Sequence, residues 1–600
     1  MTALVRRRKR WRRSTPTWPG TMLLLAATLG FTGTSAWADK PIRLSIHNLS
    51  LSGPAATRSS SESEICIFCH GTHGIAPSAP LWNRNSSGAI YTPYRSSTLK
   101  AHVGQPTGAS AVCLSCHDGT VAMGKVRNRK AEIRMSGNGG SRLTGRRANL
   151  GTDLSDDHPI SFTYDSGLVN QSNGELRDPV SFRPEVKLDR QRQLQCTSCH
   201  EPHDNTYGKF LVMDNHGSAL CLVCHNKQYW EQSVHRTSGA RWNGAAPHPW
   251  PYLDAKNVAE AGCENCHTPH KAGTPERLLV FQKAEDNCLF CHNGNVAKGN
   301  LIPEFGKLSR HDIRGTTGVH DPAENIARSS RHVACVDCHN PHGANGAPAT
   351  APQAPGSLAG VAGVSASGSV ITQVTREYEL CFRCHADSTG KGEASVPRDK
   401  PETNTRLEFN TGNASFHPVE GPGRNPDVPS LIAPLRPNSL IYCTDCHNNN
   451  QGPRAGGKGP DGPHGSAYAP LLERKLEFRD FLAESAASYA LCYKCHSRDS
   501  ILGNQSFPLH AAHVAASQTA CTTCHDSHGM PGASHLINFN RMYVTANGKG
   551  LLNWSDEGSR QGSCNLSCHG KDHDNLGYDR NGTRPVSSGT VSAQKLLNKR

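Results

Sequence analysis

Aromatic residues make up only 6% of this 600-residue chain and the broad hydrophobic class 36%, too little apolar side chain for several conventional cores. Mean hydropathy is −0.55, and 57 glycines with 38 prolines put the composition near that of disordered polypeptide. Long apolar runs are missing, which excludes a membrane-spanning bundle. Length alone suggests about four domains, yet no sustained helical period marks a large one. Unpaired cysteines are missing too. Something other than side chains has to supply the apolar mass.

The formal charge of +14 comes partly from a basic start: Arg6, Arg7, Arg8, Lys9, Arg10, Arg12 and Arg13 precede any acid. The short apolar run from Met22 to Phe31 and the small-residue site Ala36-Trp37-Ala38 follow, the pattern of a secretory signal. The expectation is a signal peptide over 1–38 and a mature chain from Asp39, whose charge falls to +7. The apolar run is far short of the roughly 20 residues of a bilayer crossing.

All 24 cysteines fall in twelve pairs, each followed at once by histidine. Eleven read C-x-x-C-H: Cys66-Cys69-His70, Cys113-Cys116-His117, Cys196-Cys199-His200, Cys221-Cys224-His225, Cys263-Cys266-His267, Cys288-Cys291-His292, Cys335-Cys338-His339, Cys381-Cys384-His385, Cys443-Cys446-His447, Cys492-Cys495-His496 and Cys521-Cys524-His525. The twelfth, Cys564-Cys568-His569, has three intervening residues. Structural zinc and redox disulfides also use C-x-x-C, but neither requires the following histidine. Two thiols that meet the vinyl groups of a haem, with the next imidazole swung under its iron, do require it; this is the c-type attachment signature, and the histidine is the proximal ligand. About twelve covalent haem c groups would supply the missing apolar mass, one to about 47 mature residues.

The mature chain has only Met123, Met135, Met213, Met530 and Met542, too few for general His/Met ligation. Of 32 histidines, the twelve proximal ones leave enough for a distal imidazole at every iron, a saturated and low-potential arrangement. An internal repeat selects the candidates. Odd-numbered sites carry a second histidine three residues on: His73, His203, His270, His342 and His528. In the fifth unit a Gly/Pro-rich insertion displaces the equivalent to His464. A second set lies upstream of each pair: His47, His158, His417 and His513, with His235 chosen over His248 and His311 over His320 or His332. His102, His216, His535 and His573 are set aside as ligands, although His573 could serve the atypical last site. Which imidazole serves which iron is left open by order alone.

This pattern resembles the doubled C-x-x-C-H family of multihaem cytochromes, related to the class III cytochromes, and the resemblance spans most of the mature chain. It implies a mostly irregular fold with short α-helices, cored by haem and built from about six two-haem repeats: 39–150, 151–230, 231–310, 311–400 with a flexible Ala/Gly/Pro/Ser loop at 344–370, 401–505, and 506–600 with a tail. It also implies electron transfer in the periplasm, at the outer membrane or outside the cell. Partners would be donor and acceptor cytochromes, quinol-linked enzymes, or an outer-membrane porin. No catalytic constellation is apparent; the alternatives are a reductase of small nitrogen or sulfur oxyanions, or a subunit of a conductive filament or conduit. Leu471 to Cys492 reads as the best helix. The basic stretch Lys125 to Arg147 reads as a solvated loop or a docking surface, and nucleic-acid binding has no support beyond charge. Twelve haems would bring roughly 24 propionates, ionised as carboxylates normally are, so isoelectric focusing should place the holoprotein well below the sequence pI of about 8.9.

Overall fold

The computed structural model describes residues 41–71, 81–137, 141–143, 147–251, 253–315, 317–321, 324, 332–389, 391 and 394–584. The signal segment, His73 and Arg146 lie outside the described residues.

Regular structure is sparse and local. The longest helices are Gly108–His117 and Glu377–His385, and each ends in its own attachment motif. Most other motifs are single turns, such as Cys196–Ser198, Cys221–Cys224, Cys335–Cys338 and Cys521–Cys524. The turn closes when the histidine N–H donates to the first cysteine's carbonyl, at 2.7 Å for His70 to Cys66 and 2.9–3.0 Å for His200, His267, His447 and His525. One helical turn places residues three apart on one side, which is what two thioethers to one haem edge require. Among the described residues no helix is long and apolar enough to cross a membrane.

Apolar packing is divided among small clusters, and most of them include attachment cysteines. Val364, Tyr378, Phe382, Ala386, Phe409 and Val419 pack beside Cys443. Leu472, Leu476, Tyr489, Val514 and Ala520 pack beside Cys492 and Cys521. None of these clusters is large enough to order a chain of this length by itself.

Three local expectations are corrected. Leu471 to Cys492 forms no helix. The segment folds back on itself, Glu477 N–H to Ser488 O at 2.9 Å and Leu491 N–H to Lys475 O at 3.1 Å, while Glu473 N–H reaches out to Cys446 O at 2.8 Å, and its backbone turns through positive φ at Leu471 and Phe481. The apolar residues still reach the neighbouring cysteines, but from extended chain. Residues 344–370 are folded rather than a free loop: a turn at Gly356–Leu358 and paired strands Gly363–Val364 and Val370–Ile371 bury Leu358 and Val361 against Val374. The last unit ends in a sheet. Its strands are β1 (Val544–Thr545), β2 (Asn553–Gly558), β3 (Gln561–Cys568), β4 (Lys571–Asp579) and β5 (Gly582–Arg584), all antiparallel, with β1 and β2 sharing one edge of β3 and β4 then β5 following on the other. The basic stretch is exposed at Lys125, Arg127, Arg129 and Lys130, and Arg129 pairs with Glu62 at 3.1 Å.

Polypeptide produced without haem attachment should therefore show no cooperative thermal transition by far-ultraviolet circular dichroism; a sharp transition in the apo chain would contradict a core that depends on haem.

Candidate haem sites

No cysteine of the chain is in a disulfide. Burial pushes the thiols up, Cys69, Cys338 and Cys446 to about 12 and Cys199 and Cys291 to about 11. A buried thiol that holds its proton is a poor nucleophile, whereas Cys196, Cys263 and Cys492 are lowered by the neighbouring thiols of Cys113, Cys221 and Cys521.

The histidines are arranged in pairs. Two imidazoles bonded end-on to one metal, each at about 2.0 Å, have ring centres roughly 6 Å apart. Among the described residues, twelve histidine pairs meet that spacing, all at 6.1–6.5 Å: His70 with His203, His117 with His47, His200 with His270, His225 with His158, His267 with His342, His292 with His235, His339 with His464, His385 with His311, His447 with His528, His496 with His417, His525 with His510, and His573 with His513. Eleven of the pairs join one C-x-x-C-H histidine to one from elsewhere in the chain.

The Nδ1 atoms are held from behind. Carbonyl oxygens take those of His117 (Ala148, 2.8 Å), His200 (Lys209, 3.0 Å), His267 (Arg277, 2.7 Å), His447 (Pro470, 3.0 Å) and His525 (His535, 2.8 Å). Carboxylates take those of His203 (Glu201, 2.8 Å), His270 (Asp157, 3.0 Å) and His528 (Glu408, 2.9 Å). Such a bond fixes the tautomer, turns Nε2 toward the metal and raises ligand basicity. Burial depresses His225, His342 and His510 to about 3 and His292, His447, His464 and His496 to about 4, so each is a neutral ligand at pH 7. At His528 burial opposes charge, yet Glu408 raises the pKa.

The donor set and its spacing fit bis-histidine haem. A family described as Doubled CXXCH motif matches residues 190–229 and again 256–297, which span the motifs from Cys196 to His225 and from Cys263 to His292. The chain is a multihaem c-type cytochrome. No curated protein matches it.

The cytochrome binds haem c covalently through its C-x-x-C-H motifs. Its ligand pairs follow a rule that order along the chain does not show. The upstream histidine of each unit faces the even-numbered site of the same unit. The histidine of each C-x-x-C-H-x-x-H faces the odd-numbered site of the preceding unit, and His464, across its insertion, obeys the same rule by facing His339. His525 departs from the rule and meets His510.

Two ligand expectations change here, and His73, the remaining member of the downstream set, lies outside the described residues. His510, not singled out from sequence, is the N-cap of the short π-helical stretch Ala511–Ala516 that carries His513, and the two belong to different pairs. His569 joins none of the twelve pairs, and His573 stands opposite His513 in its place. Its Nε2 lies 2.6 Å from Asp480, whose buried carboxylate also accepts from Ala520 N–H and Thr523 Oγ1. That bond ties the C-terminal sheet to the eleventh site. Cys564 and Cys568 both lie on β3, where residues an even number apart share a face, in place of the turn used elsewhere.

Sequence also missed a backbone device. Phe210, Leu278, Leu471 and Leu536 have φ of 57°, 52°, 58° and 60°, a strained region for bulky side chains. Each follows the residue whose carbonyl holds a proximal histidine, and each precedes a bridge back to that histidine: His200 to Leu211, His267 to Leu279, His447 to Leu472 and His525 to Ile537. The left-handed residue aims the carbonyl. No residue type marks these positions, which is why composition and spacing do not reveal them.

Replacing His573 by Ala should convert one haem of the oxidised protein from low-spin to high-spin in its electron paramagnetic resonance spectrum. His569→Ala should leave every haem low-spin and cost about 1–3 kcal/mol by stranding the Asp480 carboxylate, read as a lower Tm; the reverse outcome would restore His569 as the ligand.

Proposed function

We propose that this cytochrome is a non-catalytic electron carrier with twelve bis-histidine haems held in one row that follows sequence order. The observation that carries the reading is the set of twelve histidine pairs, which gives every candidate iron two protein ligands and leaves none for a substrate. Bound haem c supplies one-electron iron chemistry, and saturation with imidazole rather than methionine favours a low potential.

The order of the row is supported by the cysteines. First thiols of consecutive sites lie within hydrogen-bonding reach: Cys113 with Cys196, Cys221 with Cys263, Cys288 with Cys335, Cys381 with Cys443, and Cys492 with Cys521. At the intervening steps the second thiols are electrostatic neighbours: Cys69 with Cys116, Cys199 with Cys224, Cys266 with Cys291, Cys338 with Cys384, Cys446 with Cys495, and Cys524 with Cys568. Each attachment motif thus has the motifs before and after it in the chain as neighbours. Short edge-to-edge gaps are what electron tunnelling needs. The two ends of the row are then the docking points for donor and acceptor proteins. An exported location, periplasmic, at the outer membrane or extracellular, fits the targeting segment read from the sequence.

The imidazole planes divide the row. At odd sites they lie within 9–47° of each other, whereas at even sites up to the tenth they cross at 51–85°. Purified holoprotein should contain twelve haems per chain. Its oxidised spectrum should show two low-spin classes, rhombic from the near-parallel pairs and strongly anisotropic from the crossed ones, both indifferent to added nitrite. A high-spin fraction that changes with nitrite would replace the carrier reading with a reductase.

A further inference from the structure

Among the described residues seven histidines fall outside the twelve pairs, and two of them converge. His320 and His332 meet Glu324 and Asp337, one ligand atom from each lying within 4.8 Å of every other. His320 Nε2 is 3.0 Å from Asp337 Oδ1 and 3.6 Å from Glu324 Oε1, and His332 Nε2 is 3.2 Å from the same Glu324 oxygen. The rings of His320 and His332 are 4.9 Å apart, well inside the spacing of the haem-type pairs. We propose that these four side chains form a non-haem site for one divalent transition-metal ion of the zinc class.

Geometry and chemistry point the same way. Ligands at about 2.0–2.1 Å around a tetrahedral metal stand roughly 3.3–3.4 Å from one another, the middle of the three separations observed. Two imidazoles with two carboxylates suit zinc and its neighbours rather than calcium or magnesium, which take oxygen ligands alone. The His320 side chain is 6% exposed, and its Nε2 makes no hydrogen bond although it points at two carboxylates. A buried polar nitrogen left without a bond is costly, and a metal ion would use it. Asp337 is already oriented, its Oδ2 accepting from Ala334 N–H at 2.7 Å and its Oδ1 from Arg383 Nη2 at 2.9 Å. Glu324 and His332 are each 21% exposed, which leaves an entry.

The position gives the ion a setting. Asp337 lies inside the Cys335–His339 motif and Arg383 inside Cys381–His385, so the site stands between the seventh and eighth attachment points. Two carboxylates beside two haems favour ferric iron; a bound dication would offset them.

The inference does not rest on the electron-carrier reading, and its test counts zinc separately from iron. Holoprotein stripped with EDTA, incubated with excess zinc chloride and passed through a desalting column is analysed by elemental mass spectrometry. The wild type should retain one zinc per chain, and the His320→Ala/His332→Ala double variant none, with iron content and Soret absorbance unchanged. Wild type that retains no zinc, or a double variant that retains as much as wild type, overturns the site. Should the double variant lose haem, Glu324→Gln decides: reduced zinc with full haem content supports the site, and undiminished zinc overturns it.

Discussion

One constraint organises the molecule: two imidazoles, contributed by different stretches of backbone, must face each other about a metal's width apart. Each of the twelve pairs closes a loop in the chain, and between odd and even sites the closures interlock. His203 of the second unit returns to His70 of the first, His270 of the third to His200 of the second, and the sequence repeats through His528 and His447. Side-chain packing is left with a minor role. The clusters around Cys443, Cys492 and Cys521 are patches between attachment points, and the secondary structure is whatever turn or bridge positions a ligand.

Interlocked ligation changes what a repeat is here. A two-haem segment taken alone keeps the pair that its own upstream histidine makes, as His158 does with His225, but loses the partner of its odd site. In the proposed ligation, neighbouring segments are coupled through metal–ligand bonds rather than through an apolar interface. Electronic continuity and mechanical continuity follow from the same contacts, since the cysteine neighbours that set the order of the row sit on the turns that the histidine pairs draw together.

Much of this was legible in the sequence because the chemistry leaves little freedom. A thiol pair, a fixed spacer and an adjacent histidine are local, and so the attachment motifs can be read residue by residue. The recurring His203, His270, His342 and His528, and the upstream His158 and His417, were legible as a repeat. Their partners were not, because a histidine that serves the preceding unit looks the same in sequence as one that serves its own. His510 and His513 are three residues apart and differ only in where a widened helical turn aims them. The left-handed Phe210, Leu278, Leu471 and Leu536 were invisible for a different reason: the strain is imposed by the carbonyl that must reach Nδ1, and no side-chain preference announces it. Leu471 to Cys492 had a helix's spacing, but its amides pair across a fold within the segment, Glu477 to Ser488, and outside it, Glu473 to Cys446, a case of longer-range contacts overriding local pattern.

The C-terminal site separates two requirements that coincide everywhere else. In the other eleven, one turn sets the thiols side by side and delivers the adjacent histidine beneath the same metal, so attachment and proximal ligation come from one piece of local geometry. An extra residue between Cys564 and Cys568 breaks that turn, and the segment pairs as β3 instead. β3 stops at Cys568, and His569 opens the turn to β4 with φ of 51°, where its Nε2 meets Asp480 instead. The ligand is then recovered from the adjacent strand, where His573 on β4 pairs across to Leu566 on β3, between the two cysteines. The imidazole pair survives the loss of the turn that normally supplies half of it. Ligation is therefore the condition that the chain meets by whatever backbone is at hand, and the five-residue motif is its most economical solution.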